Sequence, residues 1–479
     1  MYLPAFRRMS LREPSGRKMT SVTFTGEPIL RRALIGALAS PGADPLGGPS
    51  GARFGAPAPR NLRMRERIDL TIDQQSRDAG EAFATAHEPA RALYIHVPFC
   101  FHKCHYCDFY SFVDTQDRQA PFVDALEREL AHLAPHAAGA PLRSIFVGGG
   151  TPSLLRPDLW TRLLASLRAR FDLSDPSLEF TVECNPETVT PELMGILHSG
   201  GVNRVSIGAQ SFDAAHLKTL ERWHDPDNVE RAVALASGAG IPRRSIDLIF
   251  GVPGESLASW RADLARALAL ARRPDGVEHL SCYALTYEPN TAMTARLRRG
   301  EFAPVDEDEE ADMLLATVET LREAGLERYE VSNFARPGGE CRHNLGYWRQ
   351  EQWLAAGPSA SAHLAGFRWK NVPRLTDWME GVNASGLSPV TDFERPDPAR
   401  ALAERLMTGL RLREGLPAEE MLARAGALGA EDALRRAVDR AQARDLMRSD
   451  RGRWTLTDSA WLLADGIASE LMQAVWRPA

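Results

Sequence analysis

Between residues 91 and 286 the chain alternates between two periodicities, and this alternation limits the fold more than any other feature. Short β-rich runs occur at 92–97 (ALYIHV), 144–147 (SIFV), 179–184 (EFTVEC), 204–208 (RVSIG), 245–250 (SIDLIF) and 279–285 (HLSCYAL). Between most of them lie stretches with apolar residues at helical spacing. Val123, Leu126, Leu130 and Leu133 step by three and four and make one stripe. Similar stretches run through 159–171, 191–198, 228–238 and 257–271. Strands joined by helices predict a parallel sheet, because parallel neighbours need long crossover connections. The fold class is therefore α/β. Alternation alone leaves two forms of the sheet open, a doubly wound one and a partial barrel.

The remaining chain divides around this core. Residues 1–88 are rich in Arg, Pro, Gly, Ala and Ser and show no lasting period. Residues 1–65 hold eleven Lys or Arg against three Asp or Glu. This composition predicts a disordered extension, or a start assigned too far upstream, with Met19 and Met64 as later starts. It fits a transit peptide less well. Residues 89–300 hold the α/β core, and 301–390 join an acidic helix at 306–325 to a Trp- and Gly-rich region. Residues 391–479 predict a mainly helical, winged-helix-like domain that includes the β-like RWTLT at 453–457. A net charge of −6 gives no reason to expect nucleic-acid binding. No apolar stretch approaches the roughly 20 residues needed to span a bilayer.

Three of the six cysteines crowd into CFHKCHYC, residues 100–107, directly after the first strand. That places them at the C-terminal edge of the sheet, where α/β folds build their sites. Such crowding favours a metal centre in a reducing, cytoplasmic compartment over disulfides. Thiolates suit an iron–sulfur cluster or zinc. A zinc site would draw its fourth ligand from His96, His102 or His105, but such sites usually pair Cys-x-x-Cys units and only one occurs here. Asp108 and Phe109 follow the third cysteine, so no neighbouring fourth thiolate closes the centre. Cys184 and Cys282 fall inside strands and read as small buried apolar residues. Polar residues recur at the same edge. GGGTP (148–152) follows the second run and Glu183 ends the third. Gln210 sits just past the fourth, Arg222 twelve residues on, and Asp247 on the fifth. Each alone has a structural reading, as a tight turn, a helix cap or a solvated charge. Together, on successive elements at one edge, they point to a ligand site.

The pattern C-x-x-x-C-x-x-C, with a Gly-rich turn after the next strand, resembles the radical S-adenosylmethionine (SAM) superfamily. The resemblance implies a partial (β/α)6 barrel. It implies that Cys100, Cys104 and Cys107 hold three irons of a [4Fe-4S] cluster, and that the amino and carboxylate groups of SAM chelate the fourth. A reduced cluster in that family passes one electron to the sulfonium and cleaves it to methionine and a 5′-deoxyadenosyl radical. By resemblance Gly149, Gly150 and Thr151 contact the methionine end of SAM. Tyr94, Tyr106, Glu183, Gln210, Arg222 and Asp247 complete its surroundings. The aromatic residues Phe99, Phe101, Tyr106 and Phe109 would shield the cluster and influence its potential.

A closer likeness covers about residues 91–475. YIHVPFC, GGGTPS, ECNPE, GAQSFD, RWH and DLIFGVPGE resemble the group of oxygen-independent coproporphyrinogen III oxidases and HemW-type heme chaperones. The oxidases typically carry a fourth cysteine where Phe109 stands, whereas the C-D-F continuation and the H-N-x-x-Y-W motif (HNLGYW, His343 to Trp348) are similar to the chaperones. The chaperone reading implies heme as cargo and an unknown heme-acceptor protein. It also implies a reductant such as flavodoxin or ferredoxin, and admits peripheral membrane association and a homodimer. Oxidative decarboxylation of coproporphyrinogen III is the alternative activity. A neutral imidazole commonly ligates heme iron, which makes His343 a candidate, with Cys341 as an alternative thiolate. Tyr347, Trp348 and Trp353 offer flat faces to a porphyrin, and Arg342 or Arg349 a partner for a propionate. The competing reading is a packed loop whose histidine is hydrogen-bonded in the core.

Overall fold

The computed structural model describes residues 64–476. Six parallel strands stand side by side in chain order: β1 (Ala92–Val97), β2 (Ser144–Gly149), β3 (Glu179–Cys184), β4 (Arg204–Gln210), β5 (Arg243–Phe250) and β6 (His279–Ala284). Short antiparallel strands β7 (Glu327–Arg328) and β8 (Asn333–Ala335) extend the β6 edge. Strand β9 (Leu354–Ala356) pairs in parallel with β1 at the other edge. A doubly wound sheet reverses its strand order at a switch point. Here the order runs one way, and right-handed crossovers then put every connecting helix on one face. That is the (β/α)6 partial barrel.

Strand alternation gives the two faces opposite chemistry. Leu93, Ile95, Val147, Val182, Ile207, Leu248 and Leu280 are fully buried and belong to one continuous apolar core with the helices. The other face carries Tyr94, His96, Thr181, Glu183, Arg204, Ser206, Ser245, Asp247, His279 and Tyr283. Register lines these residues up across the sheet: Ser206 faces Ser245, Gly208 faces Asp247, and Asp247 faces Ser281. Polar side chains are thus gathered inside the barrel, and their strand ends meet the cysteine loop.

The stretch Met64–Thr85, expected to be part of a disordered or mis-started extension, forms helix α1. Ser76 Oγ accepts from Val390 N at 3.0 Å and Gln75 Oε1 from Phe393 N at 3.2 Å, so the helix docks on a neighbouring strand. Among its described side chains, Ala79 and Ala82, with Phe83 partly, enter the core. Residues 1–63 of the expected extension lie outside the described residues.

The barrel helices are α2 (Gln119–Leu133), α3 (Pro157–Arg170), α4 (Pro191–Ser199), α5 (Ala214–Thr219), α6 (Asp227–Gly238) and α7 (Leu257–Ala271). The predicted stripe on α2 is buried throughout. Ser256 and Ser259 cap α7 reciprocally, which fixes the turn after β5. Helices α8 (Ala292–Arg298) and α9 (Glu307–Glu323) follow β6, and α10 (Arg342–Trp348) holds the HNLGYW motif. Strands β10 (Ser361–Leu364), β11 (Phe367–Asn371) and β12 (Val390–Glu394) form a small antiparallel sheet, with α11 (Leu375–Ser385) between the last two. The C-terminal portion is mainly helical. It comprises α12 (Pro398–Gly409), α13 (Ala418–Gly426), α14 (Glu431–Ala443) and α15 (Ala464–Trp476). Its three-stranded sheet is β13 (Leu416–Pro417), β15 (Arg453–Leu456) and β14 (Met447–Asp450) in that order, and it has a core of its own.

Candidate functional site

Cys100 ends a two-residue strand, Phe99–Cys100, that pairs with Phe112–Val113 and closes the cysteine loop. Cys107 N donates to Cys104 O at 3.3 Å, and Lys103 Nζ reaches Phe109 O and, at 2.9 Å, Ser111 Oγ. All three cysteines are half-buried. Burial pushes the Cys107 thiol up to about 11, so ligation there must displace a proton. Four ligands of one tetrahedral zinc lie about 3.8 Å apart, given a Zn–S bond of about 2.3 Å. Among the described residues the one trio of metal-ligating side chains with all ligand atoms within 4.8 Å of one another is His216, Glu255 and Asp263, not the cysteines. Three thiols on one loop match the donor set of an iron–sulfur cluster with one position left open.

Of the aromatics expected to shield the centre, Tyr106 lies near all three cysteines, and its hydroxyl is raised well above its usual value by burial and by them. Phe99 is instead a core residue, edge-on to Phe112 and Phe122. Phe101 is 69% exposed and projects to solvent, which corrects the expectation for it. Phe109, at the fourth-cysteine position of the oxidase pattern, is 37% exposed. Trp223 is exposed too and stacks on His102 at 4.3 Å.

The strand ends close around this loop. Thr151 Oγ1 donates to Cys100 Sγ at 3.6 Å, and Arg222 Nη1 reaches Cys104 Sγ at 3.8 Å. Gly149 N donates to Glu183 Oε2 at 3.1 Å. Gly149 has φ +111, and a Cβ there would fall 2.6 Å from the His96 ring. Gly150 packs onto the carbonyl of Phe99, where a Cβ would fall 2.6 Å away. The glycine run therefore packs directly against the His96 ring and the Phe99 carbonyl, beside the carboxylate of Glu183, where no side chain would fit. His96 Nε2 faces the Tyr110 carbonyl at 2.8 Å, so it carries the proton; Nδ1 then accepts from Tyr94 Oη at 3.0 Å. Burial holds His96 down at about 4, and it is neutral near pH 7.

On the far side β4 bulges between Gly208 and Gln210, and Gln210 takes φ +64. A non-glycine residue in that region is strained, and such strain gathers at functional sites. Tyr283 Oη donates to Gln210 Oε1 at 3.2 Å, and Arg222 Nη2 donates to Gly208 O at 3.0 Å. Ser206 Oγ donates to Asp247. The structure thus gathers Tyr106, Gly149, Gly150, Thr151, Glu183, Gln210 and Arg222 at the barrel end that holds Cys100, Cys104 and Cys107, while Tyr94, stacked on Phe146, and Asp247, bonded to Ser206, stand further along the inner face. Sequence reasoning missed Ser206, Tyr283 and Lys103 here and gave His96 a different role. The period-two polar face of the strands was the signal for the first two.

His343 lies elsewhere. It is 2% exposed on α10, at the opposite, N-terminal end of the strands. Ser144 Oγ holds Nδ1 at 2.8 Å and Tyr347 Oη holds Nε2 at 2.9 Å, while its ring stacks on Phe146. Both ring nitrogens are engaged, so neither is offered to an iron. Cys341 is equally buried, donates to Glu179 Oε1 at 3.3 Å, and is pushed up to about 12. In this structure both side chains take the packed-loop arrangement. Glu179 is the hub: it accepts from Arg243 Nη1 at 2.8 Å, from Arg342 N at 3.0 Å and from His343 N at 3.0 Å.

Comparison with known proteins agrees with this geometry. Residues 94–267 match the Radical SAM superfamily, the class that such a barrel and three-cysteine loop define. Residues 397–463 match the HemN C-terminal domain. The heme chaperone HemW of Mycobacterium tuberculosis (strain ATCC 25618 / H37Rv) is 39% identical over 386 residues, 79% of this chain and 94% of that protein. The heme chaperone HemW of Escherichia coli (strain K12) is 34% identical over 388 residues, 79% of this chain and 97% of that one. The chain belongs to the HemW family of radical SAM proteins. In fold it resembles the coproporphyrinogen III oxidase HemN of Escherichia coli, with a TM-score of 0.71 at 22% identity, covering 82% of this chain and 92% of that one. Among the described residues no helix is long and apolar enough to cross a membrane.

Proposed function

We propose that this protein is a heme chaperone that carries a [4Fe-4S] cluster on Cys100, Cys104 and Cys107, binds SAM at the adjoining strand ends, and passes heme to an acceptor protein. The observation that carries the site is the pair of contacts from Thr151 to Cys100 and from Arg222 to Cys104, which join the cysteine loop to the polar strand ends. The heme reading rests on relatives named heme chaperones across most of their length. It also rests on Phe109 standing where the oxidase pattern has a cysteine.

A bound cluster would supply one-electron reduction of the sulfonium. The chain's own residues bind and orient. The Gly149–Gly150 turn and Glu183 receive the amino-acid end of the cosubstrate through backbone groups and charge. Arg222, charged and fixed by Gly208 O, neutralises thiolate charge beside Cys104. Asp247 and Gln210 present acceptors from β5 and β4 to a ribose or base. Neutral His96 accepts the hydrogen bond of the Tyr94 hydroxyl, which leaves that oxygen an acceptor towards a ligand.

The test is a heme titration of the anaerobically reconstituted full chain, followed by transfer to an apo-acceptor such as a hemoprotein. One heme per chain and transfer faster than release to buffer are expected. Absence of heme binding overturns the proposal. Protoporphyrinogen formation from coproporphyrinogen, SAM and reductant overturns it in favour of the oxidase activity.

A further inference from the structure

A second group of ligating side chains lies behind the bulged strand, outside the cysteine centre. His216 on α5, Glu255 in the turn after β5 and Asp263 on α7 place their ligand atoms within 4.8 Å of one another, and all three are buried. We propose that His216, Glu255 and Asp263 form a binding site for a divalent cation of the zinc class.

Two features argue for a ligand here rather than an ordinary polar contact. His216 Nδ1 and Glu255 Oε1 are buried and make no hydrogen bond, though His216 is 6% and Glu255 4% exposed. Leaving two such atoms unmet is costly, and most buried polar atoms find a partner. They lie 3.9 Å apart, too far for a hydrogen bond to each other. That gap is within the span of two ligands each about 2.1 Å from one zinc ion. The rest of the site is already held. Glu255 Oε2 accepts from Val252 N at 3.0 Å, and Asp263 accepts from Ser211 Oγ at 2.5 Å and Phe212 N at 3.0 Å. Each carboxylate is thus oriented by its neighbours and keeps lone pairs for an ion. One imidazole and two carboxylates make a hard-to-borderline donor set, which suits zinc or cobalt.

The location gives the ion a task. Asp263 grips Ser211 and Phe212, the two residues after strained Gln210, and His216 stands six residues before Arg222. An ion tying α5, α7 and the β5 turn together fixes the segment that carries both Gln210 and Arg222. The site shares no ligand with the cysteine centre, so its loss and the loss of the cluster are separable.

The experiment uses the full chain with its cluster reconstituted anaerobically, treated with a mild chelator and then titrated with Co2+. One Co2+ per chain with ligand-field absorption, displaced stoichiometrically by Zn2+, is expected. His216→Ala and the near-isosteric Glu255→Gln each weaken this binding by at least about tenfold while iron content and cluster absorption stay unchanged. Absence of Co2+ binding in the native chain overturns the proposal, because a water or a proton then occupies the gap. Binding that survives both substitutions overturns it as well.

Discussion

The hub at Glu179 permits a quantitative test of how α10 is held to the barrel. Glu179 is 1% exposed and meets four donors: Arg243 Nη1, Arg342 N, His343 N and Cys341 Sγ. Burial alone raises its pKa, but the Arg204 and Arg243 guanidiniums, with the His343 and Arg342 amides, outweigh it and hold the carboxyl below its usual 4.5. Glu179→Gln keeps the shape and removes the charge. Whichever way the amide turns, its NH2 faces two of the four donors. Hydrogen bonds to a charged group contribute about 1.5–3 kcal/mol each, and breaking one partner of a buried pair costs about 3–5 kcal/mol. A loss of about 3–5 kcal/mol is therefore expected, read as earlier denaturant unfolding and as faster hydrogen exchange across α10. The pH dependence has a definite sign. A carboxylate with a depressed folded pKa stabilises above its unfolded value and loses that contribution as pH falls through the folded one. The gap between wild type and variant should stay constant from pH 6 to 8 and close only well below 4.5. A difference under about 1 kcal/mol at neutral pH, the worth of one ordinary hydrogen bond, would refute the reasoning.

Four further outcomes are expected. Cys104→Ser abolishes the cluster's visible absorption and lowers bound iron, while far-ultraviolet circular dichroism is unchanged because the side chain is only half-buried. Arg222→Lys keeps the charge but cannot span both Gly208 O and Cys104 Sγ; SAM affinity by equilibrium dialysis falls about tenfold, about 1.4 kcal/mol. Gly149→Ala meets the His96 ring and a φ of +111, and adds strain of about 1–3 kcal/mol; it weakens SAM binding while the iron content stays normal. His343→Ala leaves the heme Soret band unshifted, since both ring nitrogens are engaged inside the fold, yet lowers the unfolding midpoint.

The strands and helices of the core were legible because each buries one face and its period is written in the residues. All six runs became strands, and the α2 stripe is buried as spaced. The cysteine loop was legible through residue type and spacing. What the sequence hid was distance. Nothing local says that Arg222 reaches Cys104 across 118 positions, or that the His343 imidazole lies against Ser144, 199 positions away. Those contacts follow from register and packing. The H-N-x-x-Y-W motif shows the same limit: its histidine has the chemistry of an iron ligand and the surroundings of a structural one. Helix α1 was missed, and the two bonds that dock it reach across 314 and 318 positions.

The two ends of the barrel are not equivalent. At the N-terminal pole the Glu179 hub, Ser144–His343–Tyr347 and Ser245–His279–Tyr329 form a buried, mutually bonded plug. With its base held shut by these bonds, the cysteine-loop end is the mouth at which a ligand of the inner face would bear. A broad flat guest seated there would lie over a smaller one beneath it.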